Sequence, residues 1–397
     1  MSAPAAASNL RTIAWLVASL ALPLPWLLAS DGAFGHGATA TATGVAIVGA
    51  AFLLSWSVEL GEQDMPQSFA LLILALVSVL PEYAVDLTFA IKAAEDPSYA
   101  HYAVANMTGA NRLLIGLGWT SVVLLACFRA RTASLQIPVH HRLEMRFLLY
   151  STLYAFTIPL KGELNLLDAV VLLSLFLAYV YAATKGHRSD NELVGPAAWI
   201  DARTHATGRR LIALGLLVYA AVTIFLSAEP FAESLVELGH GLPIDEFLLV
   251  QWVAPLASES PEFLVALMFA WRMRGDLGIG ALISSKVNQW TLLVGALPVA
   301  YMVASGAWNG LPLDARQSEE LFLTSAQSLL ATLLIADLDF SRTEAVLLTV
   351  VFAVQLVFPD AEVRLAFGAL YVVMFLGLIA QSPTRRRAFV ALLRSRE

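Results

Sequence analysis

The sequence predicts an all-α polytopic membrane protein of about twelve transmembrane helices, built around two inverted five-helix repeats. Three observations predict it. The 397 residues are 58% hydrophobic and 14% charged, with a mean hydropathy of +0.71, whereas soluble domains carry about a quarter charged residues. Apolar stretches of about twenty residues, enough to cross a bilayer, recur along the whole chain. One segment also occurs twice, as VELGEQDMPQSFALLILALVSVLPEYAVDLTFA (58–90) and VELGHGLPIDEFLLVQWVAPLASESPEFLVALMFA (236–270). Each copy begins Val-Glu-Leu-Gly, reaches Pro-Glu inside an apolar run and ends Phe-Ala.

The apolar stretches place spans near 11–29, 39–61, 67–91, 100–127, 146–160, 164–184, 208–238, 247–271, 277–304, 319–337, 343–358 and 363–381. The first follows a single arginine, contains prolines and lacks a clean cleavage site, so it reads as a spanning helix and not a signal peptide. The layout divides into an extra N-terminal helix (1–38), a first repeat (39–184), a linker (185–207), a second repeat (208–358), and an extra C-terminal helix with a basic tail (359–397). The tail, TRRRAFVALLRSRE, reads as a membrane-surface segment.

Charge orients these spans. Arg129, Arg131 and Arg142 lie in one long loop, Lys185, Arg188 and Arg203 in the next, and Arg385, Arg386, Arg387, Arg394 and Arg396 in the tail. Twelve spans put all three on one side, and lysine and arginine excess marks the cytoplasm. Both termini are therefore expected inside, in a bacterial inner membrane. The opposite loops, with Glu95, Asp96, Asp245, Glu246, Asp360 and Glu362, are mainly acidic. Five spans separate equivalent points of the two copies. An odd number makes the halves face opposite ways, the layout of secondary transporters whose sites lie at broken helices near the midplane.

That layout gives the repeated Pro-Glu a chemistry. Pro81 and Pro261 each remove a backbone donor and free a carbonyl one turn earlier. Glu82 and Glu262 follow them at membrane depth, where a carboxylate is expensive unless it serves a function. A carboxylate beside freed carbonyls is an oxygen site for a hard cation. A proline followed by glutamate can also simply start a helix, but two copies in matched surroundings and opposed topology favour the cation site.

These residues resemble the sodium/calcium exchanger superfamily of cation/Ca2+ antiporters, as a divergent prokaryotic-type member. That family carries two inverted repeats, each with a Ser/Thr-Leu-Pro-Glu segment on one helix and Gly-Ser-Asn at the start of the next. Here the first copy reads SVLPEYAVDLTFA and then VANMTGANRLLIGLG, and the second ASESPEFLVALMFAWRMRGDLGIGALISSKVNQWTLLVG. The resemblance implies a secondary-active antiporter working by alternating access. It makes Glu82 and Glu262 the central cation-binding and metal-ligating glutamates. It makes Ser78, Ser258, Asn111 and Asn288 their neutral oxygen partners. Ca2+ would be exchanged for Na+ or H+, with no cofactor beyond the transported ions and with the bilayer and small inorganic cations as partners.

The sequence departs from that pattern. The first Gly-Ser-Asn is Gly109-Ala110-Asn111, followed by Arg112; the second is Lys286-Val287-Asn288. Ser260 replaces the leucine of the second copy, with Glu259 before it. Asp86 lies four residues after Glu82, on the same helix face. Asp86, Glu259, Lys286 and Arg112 are thus candidate coupling or charge-compensating groups. Lys286 admits three readings: a built-in cation replacing a transported ion, a proton-coupling group, or half of an ion pair in a site that has lost transport. A monovalent Na+/H+ antiporter, and a non-transporting scaffold or sensor on the same fold, stay open beside the Ca2+ reading.

Other functions lack their residues. Cys127 is the single cysteine, which excludes an intramolecular disulfide and a cysteine metal cluster. No phosphate-cradling glycine loop supports ATP drive. Apart from a few such as Arg112 and Lys286, basic residues lie in the loops and tail, so nucleic acid is not indicated. An enzyme is not expected: Ser284 and Ser285 beside Lys286 are consecutive on a helix and do not face one another. Oligomeric state is open.

Overall fold

The computed structural model describes residues 3–29, 34–62, 80–185, 193, 195–241, 245–358 and 360–394. Its helices are α1 (Ala3–Ala21), α2 (His36–Glu62), α3 (Leu80–Lys92), α4 (Tyr99–Ala130), α5 (Arg142–Ala155), α6 (Leu166–Ala183), α7 (Gly195–Asp201), α8 (Ala206–Gly241) and α9 (Glu246–Trp271). They continue with α10 (Gly275–Ser305), α11 (Ala315–Ile335), α12 (Arg342–Val357), α13 (Ala361–Gln381) and α14 (Pro383–Leu393). Strands are β1 (Ser134–Gln136), β2 (Glu163–Leu164), β3 (Leu311–Pro312) and β4 (Asp339–Ser341).

Among the described residues, seven helices are long and apolar enough to cross a membrane, eight when the two parts of α9 count as one. The expectation of about twelve exceeds this for a physical reason. α5 and α12, with 14 and 16 residues, are short for a span, and α5 and α11 carry charge in their first turns, Arg142, Glu144 and Arg146 in one and Arg316, Glu319 and Glu320 in the other. These charges lower the hydropathy of helices that the protein itself covers. The expected span 67–91 is described only from Leu80.

The chain forms two compact units. The first comprises residues 1–88 and 183–261. In it α2 packs along α8, and α1 packs on α2. Trp15 sits edge-on to Phe52 and Trp56, at ring distances of 5.4 and 5.8 Å. Gly44 of α2 meets the ring of Phe231, and a Cβ there would come within 3.0 Å of it.

The second unit comprises residues 89–182 and 262–397, and its two short ladders reveal an inverted repeat. α4 leads into β1, and α10 leads into β3. β2 joins α5 to α6, and β4 joins α11 to α12. β1 pairs antiparallel with β4, Leu135 opposite Phe340, and β2 pairs with β3, Leu164 opposite Leu311. α5 separates β1 from β2, so the two ladders lie at opposite ends of the unit. α4 therefore ends where α11 turns into α12, and α10 ends where α5 turns into α6. The corresponding helices α4 and α10 run in opposite senses.

Local sequence starts these helices. Asp314 and Gln317 form a reciprocal capping box at α11, and Ser341 and Glu344 form one at α12, each satisfying donors that a helix start leaves unpaired. The tail helix α14 is capped by Ser382, packs on α5, and buries Phe389 and Leu392. Its Arg385 reaches Asp337 at 3.4 Å and pairs with Glu344. The basic tail expected at the membrane surface is thus also held on the protein.

Candidate cation-binding site

Each long helix that follows a Pro-Glu helix is locally over-wide. α4 turns π-helical over Leu114–Trp119, and α10 over Gln289–Leu293. Such π-bulges are rare and gather at functional sites. Asn111 lies three residues before the first and Asn288 immediately before the second. The same irregularity thus recurs beside the same residue in both copies.

Within the second unit, α4 and α10 bring Asn111 and Lys286 together. Lys286 is fully buried, as is Asn111. The lysine Nζ donates to Asn111 Oδ1 at 2.6 Å and to the Asn111 backbone carbonyl at 3.1 Å. Asn111 Nδ2 donates to the Met107 carbonyl at 2.8 Å, which turns the amide oxygen toward the lysine. The Nζ also lies 4.6 Å from the Trp290 ring centre, a favourable seat for a cation. Asn288 is buried on the same helix.

Glu262 begins the part of α9 that belongs to this unit. It is half-buried and lies beside Ser285 of α10. Small residues set this approach. A Cβ on Gly278 would lie 2.5 Å from the Ala266 carbonyl oxygen, and one on Gly275 2.6 Å from the Ala126 Cβ. On α4, a Cβ on Gly118 would lie 2.8 Å from the Phe263 ring.

Arg112 takes a direction the sequence does not suggest. A candidate charge-compensating group in the sequence, it meets Glu320 of α11 at 2.5 Å. Arg364 of α13 joins the same cluster, bonded to Glu319 at 2.8 and 3.0 Å and lying 3.8 Å from Glu320. Sequence reasoning missed Glu319, Glu320 and Arg364 because charges near span ends read as solvated. The one available signal was their number within otherwise apolar segments.

The first unit carries the other candidates. Glu82 and Asp86 are buried on α3, four residues apart on one face. Ser258 and Glu259 are buried on α9, which breaks at Pro261 into Glu246–Ser260 and Glu262–Trp271. The Ser258 hydroxyl donates within its own helix to the Ala254 and Pro255 carbonyls, each at 3.3 Å. Ser78 lies outside the described residues. Among the described residues, no three His, Cys, Asp or Glu side chains cluster as a resident metal centre.

Oppositely directed helices, paired π-bulges and buried carboxylates on two Pro-Glu helices, one of them bent at the proline, define a polytopic helical membrane protein of inverted-repeat build. The family described as Sodium/calcium exchanger protein matches residues 35–185 and 212–359, and the chain belongs to that family of cation exchangers. Among solved structures, the chain is 45% identical to the H+/Ca2+ exchanger CAX, covering 97% of this chain and 98% of that one with a TM-score of 0.91. YfkE shares the fold at 13% identity, 89% and 99% coverage and a TM-score of 0.63. The sodium-calcium exchanger NCX_Mj does so at 17% identity, 88% and 99% coverage and 0.53. No curated protein matches the sequence.

Proposed function

We propose that this chain is a secondary antiporter exchanging H+ for Ca2+ by alternating access. The observation that carries this reading is its 45% identity, along 97% of its length, to a protein described as an H+/Ca2+ exchanger. Glu82 and Glu262 are the proposed cation-binding carboxylates. Ser78, Ser258 and Asn288 supply neutral oxygens of the kind a hard cation takes. Asn111 belongs to the same set by position, and its oxygens serve Lys286. Coupling follows from competition: a protonated carboxyl cannot also ligate Ca2+, so each ion displaces the other from the same groups. Asp86 and Glu259, buried and close in sequence to this pair, are the proposed additional proton carriers. We place both termini in the cytoplasm, on the arginine-rich side, and the protein in a bacterial inner membrane. The proposed repeats are 39–184 and 208–358.

The test is ion flux in liposomes carrying the purified chain, comparing wild type with Glu82→Gln and Glu262→Gln. A pH gradient is expected to drive Ca2+ uptake in wild type and in neither variant. Proton movement driven by Na+ but not by Ca2+ would replace this reading with Na+/H+ exchange. No flux from well-folded protein under any gradient would end it.

A further inference from the structure

We propose that the Lys286 ammonium is a resident cation, seated on the oxygen pair of Asn111 and closing that subsite to Na+. The inference rests on reading the helices as a cation site, but not on which ions are exchanged. An amide oxygen and a main-chain carbonyl are the ligand types that hold a hard monovalent or divalent cation. Here both come from one residue, and both accept from one ammonium, at 2.6 and 3.1 Å. The Asn111 amide cannot rotate away without giving up its bond to the Met107 carbonyl.

The tether is as telling as the contact. Lys286 stands two residues before Asn288 on α10, so its reach to α4 carries a positive charge from one copy of the repeat to the asparagine of the other. A lysine is a compact point charge with three donors. Two are spent on Asn111, and the Trp290 ring lies 4.6 Å from the same nitrogen. A mobile ion binding the same oxygens would have to displace a charge that is covalently attached and fully buried. The lysine thus supplies the balancing charge that an exchanged ion would otherwise bring, and the chain has one fewer subsite for transported cations.

The test is Na+ binding to the full chain in detergent, read by thermal unfolding and by tryptophan fluorescence, with K+ or choline keeping ionic strength constant. Wild type is expected to show no Na+-specific response. Lys286→Met empties the subsite and is expected to gain a Na+-specific rise in Tm of about 4 °C at saturation. Lys286→Arg keeps a cation there and is expected to respond as wild type does. A Na+ response of equal size in wild type overturns the proposal, as does a folded Lys286→Met with none. Lys286→Gln gives a second background. Failure of both variants to fold in high Na+ also counts against the proposal, because Na+ should then replace the ammonium. If Ca2+/H+ exchange is absent in liposomes while these Na+ responses hold, the exchange reading falls and the resident cation stands.

Discussion

Arg112 Nη2 lies 2.5 Å from Glu320 Oε2, with the two side chains 2% and 3% exposed. Both charges have left water, in a cluster that Arg364 joins 3.8 Å from Glu320. Removing one partner of a buried pair leaves an uncompensated charge and costs roughly 3–5 kcal/mol, whereas replacing both by apolar groups is often neutral. Arg112→Leu and Glu320→Leu are each expected to lower Tm steeply. Arg112→Met combined with Glu320→Met is expected to recover most of the loss. Thermal unfolding of the three proteins in one detergent checks this, and an additive double variant would show that the two charges act separately.

Arg364 ties α13 to α11 through two bonds to one oxygen of Glu319, at 2.8 and 3.0 Å. One turn later, Gly368 lets the helices close: a Cβ there would lie 2.5 Å from the Phe322 ring. Arg364→Ala is expected to cost about 1.5–3 kcal/mol, the range for a charged hydrogen bond. Residues 360–394 should become sensitive to limited proteolysis before the rest of the chain. Arg364→Lys should restore only part, because an ammonium cannot present the planar fork of a guanidinium.

Much of this architecture is legible in the chain. Twenty-residue hydropathy is a coarse signal that survives most local detail, so α8, α9 and α10 fall within a few residues of the expected 208–238, 247–271 and 277–304. The short α5 runs from Arg142 to Ala155, four residues earlier than the expected 146–160. Its charged first turn looks like loop to any hydropathy scale. Helix rotation is not written in hydropathy at all. Nothing in NRLLIG or SSKVNQ says that Lys286 turns to Asn111 while Arg112 turns to Glu320, since both follow from how α4, α10 and α11 pack. The π-bulges were equally silent, because no residue type demands one.

His140 offers a test of the loop before α5. Although the side chain is largely exposed, partial desolvation, and then the neighbouring ring of His141 at 4.2 Å, hold its pKa below the ordinary 6.5. The unfolded chain therefore binds more protons than the folded one between the folded value and 6.5, and stability falls as pH drops through that window. His140→Gln should flatten the corresponding part of a Tm profile taken from about pH 7.5 to 5. Histidine NMR should place the His140 midpoint below 6.5 in wild type, and His141→Gln should move it up. A wild-type midpoint at or above 6.5 would contradict this account.

Gly278 sets how closely α10 approaches Glu262's helix. Its Cα faces the Ala266 carbonyl and Val122 of α4, and a Cβ would lie 2.5 Å from that oxygen and 3.3 Å from Val122 Cγ1. A main-chain oxygen cannot swing aside as a side chain can, so Gly278→Ala must part the helices. Overpacking of this kind costs about 1–3 kcal/mol. The geometric effect reaches further, because Lys286 stands eight residues later on α10 and Glu262 four residues before Ala266. Gly278→Ala is therefore expected to lower Tm and to reduce exchange in liposomes more than the loss of folded protein explains. Gly377, with nothing within 4 Å of its would-be Cβ, is the control: Gly377→Ala should leave flux unchanged and hold or raise Tm, since alanine favours the helix by about 1 kcal/mol. Equal flux per folded molecule in Gly278→Ala and wild type would show that this crossing supports the fold without positioning the site.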